Sequence, residues 1–420
     1  MTDFKPYKIQ VEESQIQDLK TRLSLAKFPD ELDGAGWDMG TPLDDLKRIA
    51  RHWEQSYDWK KAEQELNQIP QFVTDIQCDG FKPIAMHYVH IRSNVEGAIP
   101  LLWIHGWPGH FHEGVKIFKP LTEGGDGIER PAFDLIAPSL PNFGFSEGIK
   151  ERGFGLAQYA EALNKLMLKL GYNEYVTQGG DWGCIVSRAL AHLFPKHCKA
   201  THLNMDFASR PTWFKNPLLS IQEAVFPYNK REREGQKRSA WFEQEGRGYY
   251  HLQATKPQTL GYALADSPVA LLAWIYEKLH DWADNYPWTD DEICTWVSIY
   301  WFSTAGPAAS ARIYYEARHS PNPDRPNKLM PQHLIQYSPG VKIGYSHFPM
   351  DLVVLPRTWM RTLGEIVFER EYESGGHYAA WERPDEIVRD LRDMFGKGGG
   401  AYGVVKGATG YSSERVSARI

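Results

Sequence analysis

Apolar positions change their period along the chain, and the changes divide it. Up to about residue 95 the pattern is polar and punctuated by tryptophans. Leu43 to Trp53 predicts an amphipathic helix, with Leu43, Leu46 and Ile49 at helical spacing. Gly34-Ala35-Gly36 reads as a turn. Gln71 to Cys78 and Ala85 to Ile91 read as strands around the turn Cys78-Asp79-Gly80. From about residue 96 strand and helix patterns alternate. Ile99 to Ile104 is a buried strand, Glu113 to Leu121 a helix, and Phe133 to Ala137 another strand. Leu156, Tyr159, Ala160, Leu163, Met167 and Leu170 mark an amphipathic helix closed by Gly171. Glu174 to Thr177 is a short strand, followed by a helix over Cys184 to Leu193.

Between about 206 and 335 the strand signal disappears. Ser267 to Leu279 and Glu292 to Tyr300 read as helices separated by Pro-containing loops. Strand character returns at Lys342 to Ser346 and Glu365 to Tyr372, before a last amphipathic helix over Pro384 to Met394. Such alternation predicts an α/β fold with a mostly parallel sheet, split by a helical insertion that forms a lid. The expected divisions are a meander over 1–95, a core over 96–205 and 336–395, a lid over 206–335, and a Gly-rich flexible tail over 396–420.

Composition narrows the function classes. The chain has 420 residues, 42% of them hydrophobic, enough for a large core. A net charge of −6 implies no basic face, so nucleic acid is not expected as a partner. Aromatics reach 13%, including 15 Trp, which suits either a large apolar pocket or an aromatic core. Cys78, Cys184, Cys198 and Cys294 are widely spaced, so neither a zinc site nor a disulfide framework is expected, and a reducing, cytoplasmic location is. Met1-Thr2-Asp3-Phe4-Lys5-Pro6 has no apolar signal region, and no apolar run is long enough for a transmembrane helix.

The strongest chemical signal is Gly179-Gly180-Asp181-Trp182-Gly183, between a strand and a helix. Small residues at plus and minus two permit a turn tight enough to present the central side chain above the sheet, as in a nucleophile elbow. Asp181 taken alone also fits a helix cap. Leu102 to Gly109 ends an earlier strand with His105-Gly106-Trp107-Pro108. A loop there offers a backbone N–H to an oxyanion, partnered by the N–H after the nucleophile, which assigns donors to Trp107 and Trp182. Gly375-Gly376-His377 follows the last strand, so His377 takes the third place in the order nucleophile, acid, histidine. The acid belongs after the penultimate strand, where Asp351 stands, with Glu373 as the alternative. His105, His110 and His112 lack a carboxylate or cysteine at metal-ligand spacing, so no metal is expected.

With these residues in place, the chain resembles the microsomal-type epoxide hydrolases of the α/β-hydrolase superfamily, over nearly its whole length. The resemblance includes the N-terminal meander, in Phe28-Pro29-Asp30-Glu31, Gly34-Ala35-Gly36-Trp37, Trp53 and Asp58-Trp59. It implies an eight-stranded sheet, no cofactor, a small apolar epoxide as substrate and a homodimer as the general expectation. It puts the nucleophile on Asp181, the acid on Asp351 and the base on His377. It puts two epoxide-binding lid tyrosines on Tyr249 and Tyr314, each beside a second tyrosine, Tyr250 or Tyr315. His105, Gly106, Pro108 and Phe143 are expected around the substrate. Asn142 stands where a glycine is usual in its loop. The lid aromatics Trp241, Phe242, Trp274, Trp288 and Trp301 suit an apolar substrate or the lid's own core.

The residue types fit the chemistry. A serine attacking a saturated epoxide carbon gives an ether, which water does not cleave under mild conditions. A carboxylate gives an ester, whose carbonyl carbon water can attack. Two rival functions share part of this pattern. A haloalkane or haloacid dehalogenase also uses an elbow Asp, and halide release would reveal it. A non-catalytic binding protein would keep the fold without turnover. Ring closure by an internal hydroxyl in place of water is a further variant of the same opening step.

Overall fold

Nine strands form one sheet in the computed structural model of the protein, which describes residues 4–124, 130–319 and 329–412. In chain order they are β1 (Lys5–Pro6), β2 (Gln71–Ile76), β3 (Ile84–Ile91), β4 (Ile99–Ile104), β5 (Phe133–Pro138), β6 (Tyr175–Gly179), β7 (Cys198–Leu203), β8 (Lys342–His347) and β9 (Glu365–Glu371). The spatial order is β1-β2-β3-β5-β4-β6-β7-β8-β9. β1, β2 and β3 run antiparallel and the rest pair in parallel. The two-residue β1 raises the expected eight strands to nine. It is too short to carry a period-2 pattern, so the sequence gives it no signal. β7 also escaped the hydrophobic pattern, because Lys199 and His202 interrupt it, although His202 is fully buried.

β4 is buried at every position, as a central parallel strand flanked by helices requires. The helix Asp181–Leu193 packs beside it and starts directly from the end of β6. Two helices of the first 95 residues went unread: Glu13–Ser24, with Ile16, Leu19 and Leu23 buried, and Trp59–Leu66. The expected helix at Leu43 runs to Gln55 and packs on the helices after β7. Trp53 is buried there and donates its indole N–H to Ser298 at 3.0 Å. Tyr57 meets Thr295 at 3.0 Å, and Arg48 pairs with Asp290.

Between β7 and β8 the described residues contain helices and no strand. Pro268–Trp282 and Asp290–Trp301 bracket the two helices read from sequence. Lys230–Trp241 was not read, because its hydrophobic pattern is weak among nine polar or charged residues. Residues 320–328 of this insertion lie outside the described residues.

The stretch after Gly396 corrects the expected flexible tail. Ala401 and Val405 are buried, Lys342 donates to the Gly400 carbonyl at 2.6 Å, and Gly410 exchanges hydrogen bonds with Ala132 and Gly97. A Cβ on Gly400 would come within 2.5 Å of the Val367 carbonyl oxygen. Glycine is needed here for close packing, which sequence alone does not separate from chain flexibility. Residues 413–420 of that expected tail lie outside the described residues.

Candidate active site

Asp181 sits at φ +47°, in the left-handed region, at the first position of its helix. That backbone is uncommon for a non-glycine residue, and Asp is among the types that tolerate it best. The flanking glycines make it reachable. A Cβ on Gly183 would lie 1.9 Å from the Ile104 carbonyl oxygen, and one on Gly179 2.7 Å from the Gly183 backbone. The carboxylate is then lifted off the sheet edge. Oδ1 accepts from the Trp107 N–H at 2.7 Å, and a Cβ on Gly106 would strike it at 2.3 Å. Trp182 N–H is the next donor along, free of an intrahelical partner because it belongs to the first turn.

His377 and Asp351 come from loops after β9 and β8. His377 Nδ1 lies 2.6 Å from Asp351 Oδ1, and Nε2 3.5 Å from Asp181 Oδ2. Both side chains are nearly fully buried, and Asp181 is 14% exposed, so of the three Asp181 keeps the most access. The His377 N–H donates to the Trp282 carbonyl at 2.8 Å, which ties the histidine loop to the insertion. Burial works against the imidazolium. The charges of Asp351 and Asp181 outweigh it and push the His377 pKa up to about 10. Asp351 Oδ1 also accepts from the Leu352 N–H at 2.7 Å. Glu373, the alternative acid, is exposed on the surface and makes no such contact.

The insertion brings Tyr249 and Tyr314 over this carboxylate. Tyr249 stacks on Trp107 with centroids 5.1 Å apart and planes at 9°, and Tyr314 meets the Trp107 edge at 5.8 Å. Burial raises both phenol pKa values well above the usual value, and the Asp181 charge adds to the effect, so both stay protonated donors. Tyr314 Oη and Trp182 Nε1 are both buried, and the two rings meet edge to face with centroids 4.8 Å apart. Of the neighbouring tyrosines, Tyr250 also meets the Tyr314 ring, with centroids 5.5 Å apart, and neither packs on Trp107. Tyr315 stacks on His319 at 4.1 Å, and Tyr250 is half-buried beneath the Arg247 guanidinium.

An epoxide hydrolase N-terminus model matches residues 4–114, and an alpha/beta hydrolase fold model matches residues 99–245. The Aspergillus niger epoxide hydrolase is 35% identical, with 92% of this chain and 94% of that chain covered and a TM-score of 0.78. The epoxide hydrolase 1 of Sus scrofa is 31% identical over 93% of this chain and 88% of its own length. The chain belongs to the epoxide hydrolase family. The juvenile hormone epoxide hydrolase of the silkworm Bombyx mori is also similar, at 30% identity, 93% coverage of each chain and a TM-score of 0.76.

In this epoxide hydrolase some expected pocket residues support the loop instead of facing a ligand. His105 was expected near the substrate. Its Nδ1 hydrogen-bonds the Gly106 carbonyl at 2.9 Å and its Nε2 accepts from the Leu140 N–H at 3.0 Å. Burial lowers its pKa to about 4, so it is a neutral strut with both nitrogens in use. Phe143 packs on its ring at 5.2 Å and is 1% exposed. Pro108 gives its carbonyl to the Trp296 indole at 2.7 Å, while Gly106 does meet the nucleophile. Asn142 stands at φ +73°, the backbone that a glycine supplies, and asparagine is the next best occupant. Among the lid aromatics, Trp274 and Phe242 reach the Trp107–Tyr249 cluster. Trp288 packs on Trp381 at 6.0 Å, and Trp241 is 37% exposed.

Glu113 was read only as the start of a helix. It lies in a 3-10 turn over Phe111–Gly114, and its carboxylate fills the space beside Gly109, where a Cβ would meet Oε2 at 1.9 Å. Burial pushes its pKa up to about 8; His377 opposes the shift and Asp181 adds to it. The available signal was an acidic residue inside an aromatic stretch just after the oxyanion loop. Acidic residues are common at helix starts for other reasons, which hid it.

Proposed function

We propose that this epoxide hydrolase works through a covalent aspartyl ester, on a small apolar epoxide, without a cofactor. The observation that carries the reading is the Asp181 carboxylate, held at φ +47° between the Trp107 N–H at 2.7 Å and His377 Nε2 at 3.5 Å. Asp181 Oδ2 attacks one ring carbon, the C–O bond breaks, and a proton from Tyr249 or Tyr314 goes to the departing oxygen. Esterification removes the Asp181 charge that helps hold the proton on His377. That proton passes to the phenolate left by ring opening, which restores the tyrosine, and the imidazole becomes the neutral base that the second step needs. His377, oriented by Asp351, takes a proton from water, and the hydroxide attacks the carbonyl carbon of Asp181. The N–H groups of Trp107 and Trp182 hold the tetrahedral oxyanion, each donor worth about 3–4 kcal/mol. The acyl bond breaks, the departing alkoxide takes the proton of the new carboxyl group, the vicinal diol leaves, and the Asp181 carboxylate returns beside a protonated His377. In one turnover in isotopically heavy water the diol should carry an unlabelled oxygen from Asp181, and the label should appear in Asp181. Solvent oxygen alone in that first diol would overturn the covalent route.

Tyr249→Phe and Tyr314→Phe should each slow ring opening, on the order of a hundredfold for a lost transition-state donor. Tyr250→Phe and Tyr315→Phe should leave it within a few fold. Single-turnover formation of the ester reads the difference, and equal effects at both members of a doublet would reject the assignment.

We divide the chain into a meander, a core split across the insertion, and a lid. The four free, buried cysteines support a reducing, cytoplasmic setting, and no described helix is long and apolar enough to cross a membrane. We further assign the lid face around Pro217–Val225 to a homodimer contact. Leu218, Ile221 and Val225 are 79%, 47% and 63% exposed at steps that place them on one helical face, and Phe214 in the turn before the helix is 96% exposed. An apolar seam of this spacing pairs with a copy of itself across a two-fold axis. Sedimentation should show a dimer for the wild type and a monomer for Leu218→Glu/Ile221→Glu. A monomeric wild type would reject it.

A further inference from the structure

The charge-relay acid lies on a loop with little regular structure of its own. Between β8 and the helical turn Arg357–Met360, an isolated bridge from Met350 to Gly376 and a hydrogen bond from the Leu355 N–H to Asp206 Oδ2 at 2.8 Å tie it to the sheet side. A loop so placed needs outside contacts to hold Asp351 within hydrogen-bond reach of His377.

The contacts nearest Asp351 come from one face of the lid helix Lys230–Trp241. Arg231 donates to the His347 carbonyl at 2.8 Å. Gly235 lets the helix backbone approach, since a Cβ there would meet Val354 Cγ1 at 2.5 Å. Ser239 Oγ accepts from the Val354 N–H at 2.9 Å and reaches its carbonyl at 3.1 Å. Arg238 stands at the centre. Its Nε donates to the Asp351 carbonyl at 3.2 Å, and its Nη2 to the carbonyls of Met350 at 3.3 Å and Asp281 at 2.8 Å. Asp281 precedes Trp282, whose carbonyl accepts the His377 N–H. One guanidinium therefore bridges the acid loop and the lid strand of contacts that fixes the histidine. Trp241 lies under the guanidinium at 4.4 Å and holds it in place.

We propose that Arg238 is a positioning residue: it sets Asp351 against His377 and makes that alignment depend on a docked lid. The assignment rests on the aspartyl-ester reading above. A fork of donors on three carbonyls from two segments fixes their relative position as a single point donor does not. Arg238 touches neither the reacting carboxylate nor the phenols, so its influence passes through Asp351 and falls on hydrolysis of the ester.

Arg238→Gln should lower kcat on the order of tenfold to a hundredfold, the cost of misplacing a catalytic group by about an ångström. KM measured with an aryl epoxide should fall in step as ester accumulates, while the single-turnover rate of ester formation stays within about twofold. The acid limb of the kcat profile should move to lower pH, because His377 loses part of the Asp351 charge that raises it. Arg238→Lys keeps the charge and one donor and should recover part of both effects. A folded Arg238→Gln enzyme with wild-type hydrolysis and an unmoved pH profile overturns the proposal. So does a loss shared equally by both chemical steps, which marks a merely structural residue. Should Arg238→Gln fail to fold, Arg238→Lys carries the test, and a wild-type profile there overturns it as well. A wild-type enzyme that forms no ester would instead sink the aspartyl-ester reading itself, and this assignment with it.

Discussion

Asp181→Asn is expected to cut epoxide turnover on the order of 10⁴-fold or more, the usual scale for loss of a nucleophile. Asparagine is the substitution that isolates the chemistry. It is nearly isosteric, and it tolerates the φ of +47° that this position demands. The amide also carries no charge toward His377. In the wild type Asp351 and Asp181 hold the imidazole pKa near 10, against burial. Removing one carboxylate should bring it down, and ring-proton NMR of His377 would follow the shift. The sign for stability follows from the same linkage. A folded-state pKa above the ordinary 6.5 stabilises the protein below that pH, and the contribution is lost as pH rises through about 10. In Asp181→Asn that window should close at lower pH. A variant with normal turnover, or with the His377 titration unmoved, would contradict the placement of the nucleophile.

His377→Gln should separate the two chemical steps. Attack by Asp181 needs the carboxylate and the phenols, and neither is altered. Hydrolysis needs a base, so the ester should persist. Intact-protein mass spectrometry should show one substrate mass added per chain, with steady-state turnover reduced on the order of 10⁴-fold. The adduct should map to the peptide that contains Asp181. Turnover without an accumulated ester would mean that the imidazole is not the base for the second step.

The contrast between residues that were legible and those that were not has a physical basis. Asp181 was legible because an elbow constrains its neighbours: Gly179 and Gly183 leave no room for a Cβ, so the motif is local. His377 and Asp351 followed from their order relative to strands with clear periodicity, β8 and β9. Tyr249 and Tyr314 could be placed only to within one residue, because both members of each doublet suit a helix. Packing on Trp107 favours Tyr249 and Tyr314. His105 shows the opposite error. Its place in the motif suggested substrate contact, and only the two hydrogen bonds to Gly106 and Leu140 reveal a strut.

The sequence by itself determined the family, the α/β sheet, the helical insertion and the candidates for nucleophile, acid and base. Each rests on a period or on a steric requirement among near neighbours, which a linear pattern records. The tertiary structure decided the ninth strand, the packed Gly-rich segment, the packing of each tyrosine, the place of Glu113 beside Gly109 and the grip of Arg238 on the acid loop. These depend on contacts between residues far apart in the chain: Arg238 and Asp351 are 113 positions apart. No local period marks such a pair, because the energy that selects it arises only when the lid closes on the sheet.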